Sequence, residues 1–276
     1  MNPPRPDPPG SRASLTAIVI AQDSAAHIAR CVISLAFAED VLVVDGGSAD
    51  ATVELAEMHG ARVVPNPWPG FAAQRRFALA QASREWVLVC DSDEEVTPGL
   101  AREIMSTIAG ANRPGANAPA GFRVRRRNQF LGGWMDVGPW SRDWQLRLMR
   151  RGAVRVTDTS VHEGYAVDGP VGALSSPLNH YAHPTVSESV QRLNRYTSLE
   201  AADRATRRRV GALDALVLPA GVFFNYYVLK GCWRAGVRGF LLASTTAMYK
   251  SILYVKIRLL QQRDARRGGK ETRARA

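Results

Sequence analysis

Trp86-Val87-Leu88-Val89-Cys90-Asp91-Ser92-Asp93-Glu94-Glu95 decides how this 276-residue chain is read. A short apolar run of strand length delivers two carboxylates, one residue apart, to its C-terminal end. In a parallel α/β sheet that end is where ligands bind. Alternation along an extended chain predicts that Asp91 and Asp93 point to the same side and face one cation. Mg²⁺ and Mn²⁺ take oxygen ligands and keep open positions for substrate phosphates, so the pair suits a divalent ion shared with a diphosphate. The plainer reading is a solvated acidic turn. A calcium loop would need Gly at Val96 and Glu at Arg102, and a dehalogenase-type phosphatase would want Thr or Val at Glu95; neither pattern is met.

Upstream, Leu15 to Ile20 reads as a strand and Ala25 to Leu35 as the helix after it. Val41-Leu42-Val43-Val44 is a second buried strand ending in Asp45-Gly46-Gly47-Ser48, and Asp50 caps a helix to about His59. Ala61 to Val64 is a third strand, followed by the loop Pro65 to Gly70 and a helix from Phe71 to Ala82. Strands alternating with helices at this spacing predict βαβ units, an α/β class and a mostly parallel central sheet. No Gly-x-Gly-x-x-Gly follows the first strand, which disfavours the dehydrogenase type of dinucleotide fold. Asp45 ends the second strand at the same edge as Asp91. A carboxylate there can accept hydrogen bonds from a ribose or a uracil N–H, or simply cap the next helix. Gln74, Arg75 and Arg76 lie on the helix entered through Trp68-Pro69-Gly70-Phe71 and could aim cations at a diphosphate, though arginines on a helix are usually solvated.

Downstream, Pro98 opens a helix to about Ala109, and Gly110 to Pro119 is a flexible loop. Gly121 to Arg127 resumes as a strand. In Trp144 to Met149 the apolar Trp144, Leu146 and Leu148 alternate with Gln145 and Arg147, which predicts a half-exposed strand. Val161-His162-Glu163 closes a further short strand, and an Arg-dense helix runs from Val186 to about Arg209.

Two apolar segments follow, Val210 to Lys230 and Gly236 to Leu260. A membrane span needs ~20 largely uncharged residues, whereas the first holds Asp214, Pro219 and Asn225 and the second Lys250 and Lys256. Aromatic rings beside Lys and Arg are what an interfacial helix uses; packing on the rest of the protein is the alternative. Charge points the same way. Residues 1–186 carry 18 Lys and Arg against 19 Asp and Glu, a net of −1, while residues 187–276 carry 18 against 6, a net of +12. Such a back third implies a polyanionic partner, a membrane surface or a nucleic acid. No nucleic-acid recognition motif accompanies it, and nucleic acid leaves the acidic motifs unexplained. Cys31, Cys90 and Cys232 are too far apart for a zinc site or disulfide framework and fit a reducing compartment. The Pro-rich first thirteen residues lack an apolar core and read as a disordered tail, not a signal peptide or anchor.

In order along the chain, Val43-Val44-Asp45-Gly46-Gly47-Ser48-Ala49-Asp50, Pro67-Trp68-Pro69-Gly70-Phe71-Ala72-Ala73-Gln74 and Cys90-Asp91-Ser92-Asp93-Glu94 resemble glycosyltransferase family 2. The branch most resembled is the lipopolysaccharide-core glucosyltransferases. Arg126-Arg127-Asn128-Gln129-Phe130-Leu131-Gly132, Leu146-Arg147-Leu148-Met149-Arg150-Arg151 and Val161-His162-Glu163 continue the likeness, which spans roughly residues 15–255. The resemblance implies a GT-A nucleotide-sugar-binding fold, a nucleotide-sugar donor (UDP-linked in the favoured reading), a Mg²⁺ or Mn²⁺ cofactor and inversion at the anomeric carbon. It further implies that Asp45 contacts the nucleoside, Asp91 lies near ribose and metal, Asp93 ligates the metal, and Arg75 takes the place of the family's cation beside the diphosphate. Where the family commonly reads Thr-Lys-Asn-Glu-Glu, this chain has Ala21-Gln22-Asp23-Ser24-Ala25, so Asp23 stands in the loop that helps hold the nucleoside.

Inverting transfer needs a base for the acceptor hydroxyl and charge stabilisation for the departing diphosphate. Glu163 is the favoured base and Asp143 the runner-up. His162 is a further metal ligand, a phosphate contact or a positioner of Glu163. Trp134, Trp140 and Trp144 offer stacking faces to an acceptor sugar or belong to the core. The domains expected are a tail (1–13), a GT-A domain (14–186), a basic amphipathic helical region (187–261) and a disordered basic tail (262–276). The acceptor expected is a cell-envelope glycan or a lipid-linked one, and the place expected is the cytoplasm, peripherally on the cytoplasmic face of the inner membrane. A non-catalytic sugar-nucleotide-binding scaffold is the alternative that the altered first loop keeps open.

Overall fold

The computed structural model describes residues 14–113, 118–157, 164–183, 186–205 and 210–274. The predicted N-terminal tail and Val161-His162-Glu163 lie outside them. The chain divides into two units, Met1–Arg127 with Asp143–His180, and Asn128–Arg142 with Tyr181–Ala276.

In the first unit β1 (Leu15–Ala21), β2 (Asp40–Asp45), β3 (Arg62–Pro65) and β4 (Trp86–Asp91) form the predicted parallel block in the order β3-β2-β1-β4. Helices α1 (Ile28–Ser34), α2 (Thr52–Met58) and α3 (Phe71–Gln81) connect them, and α4 (Pro98–Ala111) follows. Both faces of β1 are buried, which is why it is apolar throughout except for Thr16. Leu15, Ala17 and Val19 pack in one cluster with Ile28 and Ile104, while Ile18 joins Leu42, Val44 and Ala78 in the other. Register then sets the site: Ala21 pairs with Asp45 and Ile20 with Asp91, so both carboxylates sit at one level of the sheet's C-terminal edge.

The rest of the sheet departs from the parallel pattern. The strands β5 (Glu94–Val96), β6 (Gly121–Phe130), β7 (Gly133–Trp134), β8 (Asp143–Arg150), β11 (Val171–Ala173) and β12 (Leu178–His183) complete the order β3-β2-β1-β4-β8-β6-β12-β5, with β7 and β11 attached to β6. β8 is antiparallel to β4 and to β6, and β5 to β12. β9 (Val154–Thr157) and β10 (Gly164–Val167) make a separate antiparallel pair. The alternation expected over Trp144 to Met149 breaks down: Trp144 is exposed, whereas Arg147, Leu148 and Met149 are buried one after another. A buried ionic network, described below, overrides the alternation.

The second unit contains α5 (Val186–Arg204), α6 (Ala212–Phe224), a π-helical turn at Asn225–Leu229, a 3₁₀ turn at Cys232–Ala235 and α7 (Gly236–Ala274). α7 thus continues as helix through residues 262–274, which sequence alone assigns to a tail. Gly239 is obligatory at the turn into α7, because a Cβ there would lie 1.7 Å from the Cys232 carbonyl oxygen. Lys256, expected at a lipid interface, instead donates to Asn194 O, Asn194 Oδ1, Thr197 Oγ1 and Ser198 Oγ at 2.8–2.9 Å, pinning α7 to α5. Among the described residues no helix is long and apolar enough to cross a membrane.

Candidate active site at the strand edge

Three loops at the C-terminal edge are stitched together by short polar side chains. Asp45 is nearly buried and accepts from Gly47 N at 2.9 Å, Ser48 N at 3.1 Å and Ser48 Oγ at 2.5 Å. Its carboxylate therefore builds its own turn, the plainer of the two roles open to it. Asp23 adopts a left-handed backbone (φ 48), donates its N–H to Ser48 Oγ at 2.9 Å and accepts from Ala49 N at 2.8 Å. Gly46 lies where these loops meet the one after β3: a Cβ there would come within 2.9 Å of the Trp68 ring and 3.3 Å of Gln22 Cβ. Ser24 Oγ, 3.0 Å from Ser92 Oγ, joins the turn after β4 to the same framework.

Gln74, expected to face the ligand, is wholly buried. Its amide accepts from Asn66 Nδ2 at 2.7 Å and donates to Asn66 O at 3.2 Å, so it fastens the loop after β3 to α3. That loop presents the exposed, edge-to-face pair Trp68 and Phe71, with centroids 4.8 Å apart.

The strand β4 stops at Asp91, so the alternation expected to align Asp91 with Asp93 does not continue; a turn intervenes. The two side chains take different partners. Arg147 Nη2 donates to Asp91 Oδ2 at 2.6 Å and also to Glu94, while Glu94 Oε2 accepts from Asp91 N at 3.0 Å. Arg126 backs this group, 3.5 Å from Glu94 and 3.9 Å from Asp91. The two acids respond oppositely. Burial pushes Glu94 up, and its side chain has no exposed surface, so Arg147 only partly offsets the effect. Burial also opposes ionisation of Asp91, but its side chain is 45% exposed and the charge and hydrogen bond of Arg147 win, holding it below its ordinary value.

Asp93 lies 3.5 Å from His180 Nε2 on β12. Among the described residues no group of three or more His, Cys, Asp or Glu side chains is disposed to hold a metal ion. That donor set still fits Mg²⁺ or Mn²⁺ held by one carboxylate and completed by substrate phosphates, since such ions rarely use all-protein cages. Asp93 is the fitting ligand, because Asp91 Oδ2 is already engaged by a guanidinium. Asp143, the runner-up base, accepts from Arg126 Nε at 2.8 Å through Oδ2 and from Gln145 Nε2 at 2.7 Å through Oδ1. Both of its oxygens are thus engaged by protein donors. Glu163 and His162 lie outside the described residues.

Arg75 stands over the Tyr165 ring of β10, its guanidinium carbon 5.5 Å from the centroid. Sequence reading passed over Tyr165, Arg126, Arg147, Glu94 and His180 as site members. The signal available for Arg147 was a charge inside a strand with apolar neighbours on both sides, which marks a buried ion pair. Trp134 and Trp140, candidate sugar platforms, pack edge-to-face on Tyr181 and Phe130 in the second unit.

The model of the family described as "Glycosyl transferase family 2" matches residues 16–163. The chain belongs to that family and is a glycosyltransferase, with the α/β GT-A fold expected of it. The lipopolysaccharide core biosynthesis glycosyltransferase LpsC of Rhizobium meliloti (strain 1021) is 31% identical to it over 252 residues, covering 88% of this chain and 91% of that protein. A glycosyltransferase of Rickettsia bellii (strain RML369-C) is 39% identical over 256 residues, covering 89% and 86%. Among solved structures, S. aureus TarS 1–349 is similar with a TM-score of 0.45 and 14% identity, covering 92% of each chain.

Proposed function

We propose that this glycosyltransferase moves a sugar, with inversion, from a UDP-linked donor to a hydroxyl of a lipid-linked or cell-envelope glycan, as in lipopolysaccharide core synthesis. The observation that carries the reading is the convergence at one sheet edge of the loops holding Asp23, Asp45 and Asp91 with Asp93 beside them. Asp23 and Asp45 shape the nucleoside pocket through the turn they stabilise. Arg75 faces the diphosphate. Asp93 holds a divalent cation, which when bound supplies Lewis-acid stabilisation of the leaving diphosphate. Glu163 takes the acceptor proton, a role favoured by the clamped state of Asp143. LpsC, named for lipopolysaccharide core biosynthesis, supports this acceptor class.

The second unit is assigned to the acceptor and the membrane. A cavity of about 410 Å³ lined by Phe130, Trp140, Tyr196, Tyr226, Leu242 and Tyr249 offers aromatic faces to an amphipathic acceptor. Exposed Leu229, Trp233, Val237 and Phe240, together with the basic back third, suit an anionic leaflet at the cytoplasmic face of the inner membrane. Hydrolysis or transfer assayed over a panel of nucleotide sugars, with and without Mn²⁺, tests the proposal. Turnover of no donor, with nucleotide binding retained, would leave the scaffold reading in its place.

A further inference from the structure

Native proteins rarely leave buried donors without acceptors, so each such atom calls for an explanation. Among the described residues three buried side-chain atoms are without a hydrogen-bond partner: Arg75 Nη1, Arg147 Nε and Tyr165 Oη. They come from three separate elements, α3, β8 and β10, and they are neighbours. Arg75 lies over the Tyr165 ring, Arg147 is bonded to Asp91, and Tyr165 feels the charges of Arg75, Arg147 and Asp91 together with a hydrogen bond from the Arg75 side chain too loose to satisfy either group. Burial, opposed by the two arginines, pushes the phenol up to about 12, so it is an O–H donor throughout the neutral range.

We propose that Tyr165 Oη, Arg75 Nη1 and Arg147 Nε together form a cradle for phosphate oxygens, which makes Tyr165 a ligand-binding residue of the donor site. All three atoms donate, and two carry fixed positive charge. The ligand that matches three donors is one with several acceptor oxygens, and because Asp91 and Glu94 already answer the charge of Arg147, it is Arg75 that calls for an anion such as a diphosphate. The inference rests on the sugar-nucleotide reading and extends it to a residue outside the motifs that carry the family likeness. In transfer the acceptor oxygen bonds to the anomeric carbon as its proton passes to the base. The bond from that carbon to the diphosphate oxygen breaks, and the diphosphate keeps the electron pair and gains one negative charge. A cradle of donors then binds the departing group more tightly than the intact donor, which lowers the barrier.

Calorimetry of full-length wild type and Tyr165→Phe against UDP, uridine and inorganic pyrophosphate, with a thermal melt of each unliganded protein, tests this. Phe keeps the ring beneath Arg75 and removes only the hydroxyl. The expected result is UDP binding weakened about tenfold, uridine binding unchanged, and a melting temperature near that of wild type, because Arg75, which pairs loosely with the hydroxyl, keeps its contact with the ring. Unchanged UDP affinity, or an equal loss for uridine accompanied by a lower melting temperature, would overturn it in favour of a structural phenol. Pyrophosphate separates this inference from the donor reading. Tyr165-dependent pyrophosphate binding without UDP binding would keep the cradle and remove the nucleotide donor; binding of neither would remove both.

Discussion

Arg147 Nη2 lies 2.6 Å from Asp91 Oδ2 and also contacts Glu94, so a single buried guanidinium serves the carboxylate that ends β4 and the one that begins β5. Removing one partner of a buried ionic group leaves the others uncompensated, at a cost of about 3–5 kcal/mol. Arg147→Met should lower the unfolding free energy by about that amount in a denaturant titration. Glu94→Gln should cost less, because the amide still accepts from Arg147 and no charge is stranded on a side chain with no exposed surface. An Arg147→Met protein as stable as wild type would show that the group is not a structural keystone.

In the proposed function Asp93 holds the divalent cation. Asp93→Asn should reduce the Mn²⁺-dependent part of UDP affinity at least tenfold, by the order of one lost charged ligand. Calorimetry with Mn²⁺ and with a chelator reads this directly. If Asp93→Asn retains the full Mn²⁺ enhancement while Asp91→Asn loses it, the ligand is Asp91 and Arg147 must give way on binding.

Glu163 and Asp143 exchange or keep their roles on one comparison. Glu163→Gln preserves shape and removes the proton acceptor, so kcat should fall by about 10² or more with donor affinity nearly unchanged. Asp143→Asn removes the charge that faces Arg126 and leaves one oxygen for two donors, so it should act mainly on stability. A kcat collapse in Asp143→Asn, with Glu163→Gln active, would reverse the assignment.

The parallel half of the sheet was legible because its central strands β1, β2 and β4 are largely apolar and buried, and the carboxylates at strand ends inherit their place from register. What escaped the sequence is non-local. Arg147 reads as a polar position of an alternating strand until β4 and β5 supply Asp91 and Glu94. Gln74 reads as a ligand contact until Asn66, eight residues earlier, turns out to occupy its amide. Asp93 was aligned with Asp91 by assuming that the strand continues, but the ladder from β1 reaches Asp91 at its end and a turn follows. Lys256 reads as an exposed cation on an apolar helix, and its four acceptors all come from α5, some sixty residues away.

The pairing of Lys256 also sharpens what the second unit should do at a membrane. A lysine bonded internally contributes little to lipid attraction, whereas each exposed basic residue near an anionic surface contributes ~1 kcal/mol, within a reach that shortens as salt rises. Exposed Leu229, Trp233 and Val237 should add a part that salt does not remove. Full-length protein is thus expected to float with anionic liposomes, less so in high salt, and weakly with neutral ones. Trp233→Ser with Val237→Ser should abolish the salt-resistant fraction while leaving UDP affinity unchanged. Lys256→Met should leave flotation as it is but lower the melting temperature, since it uncouples α7 from α5. Equal flotation with neutral and anionic vesicles would remove the electrostatic part of the proposal. Absence of flotation with either, alongside tight and salt-sensitive binding to nucleic acid, would reassign the basic back third altogether.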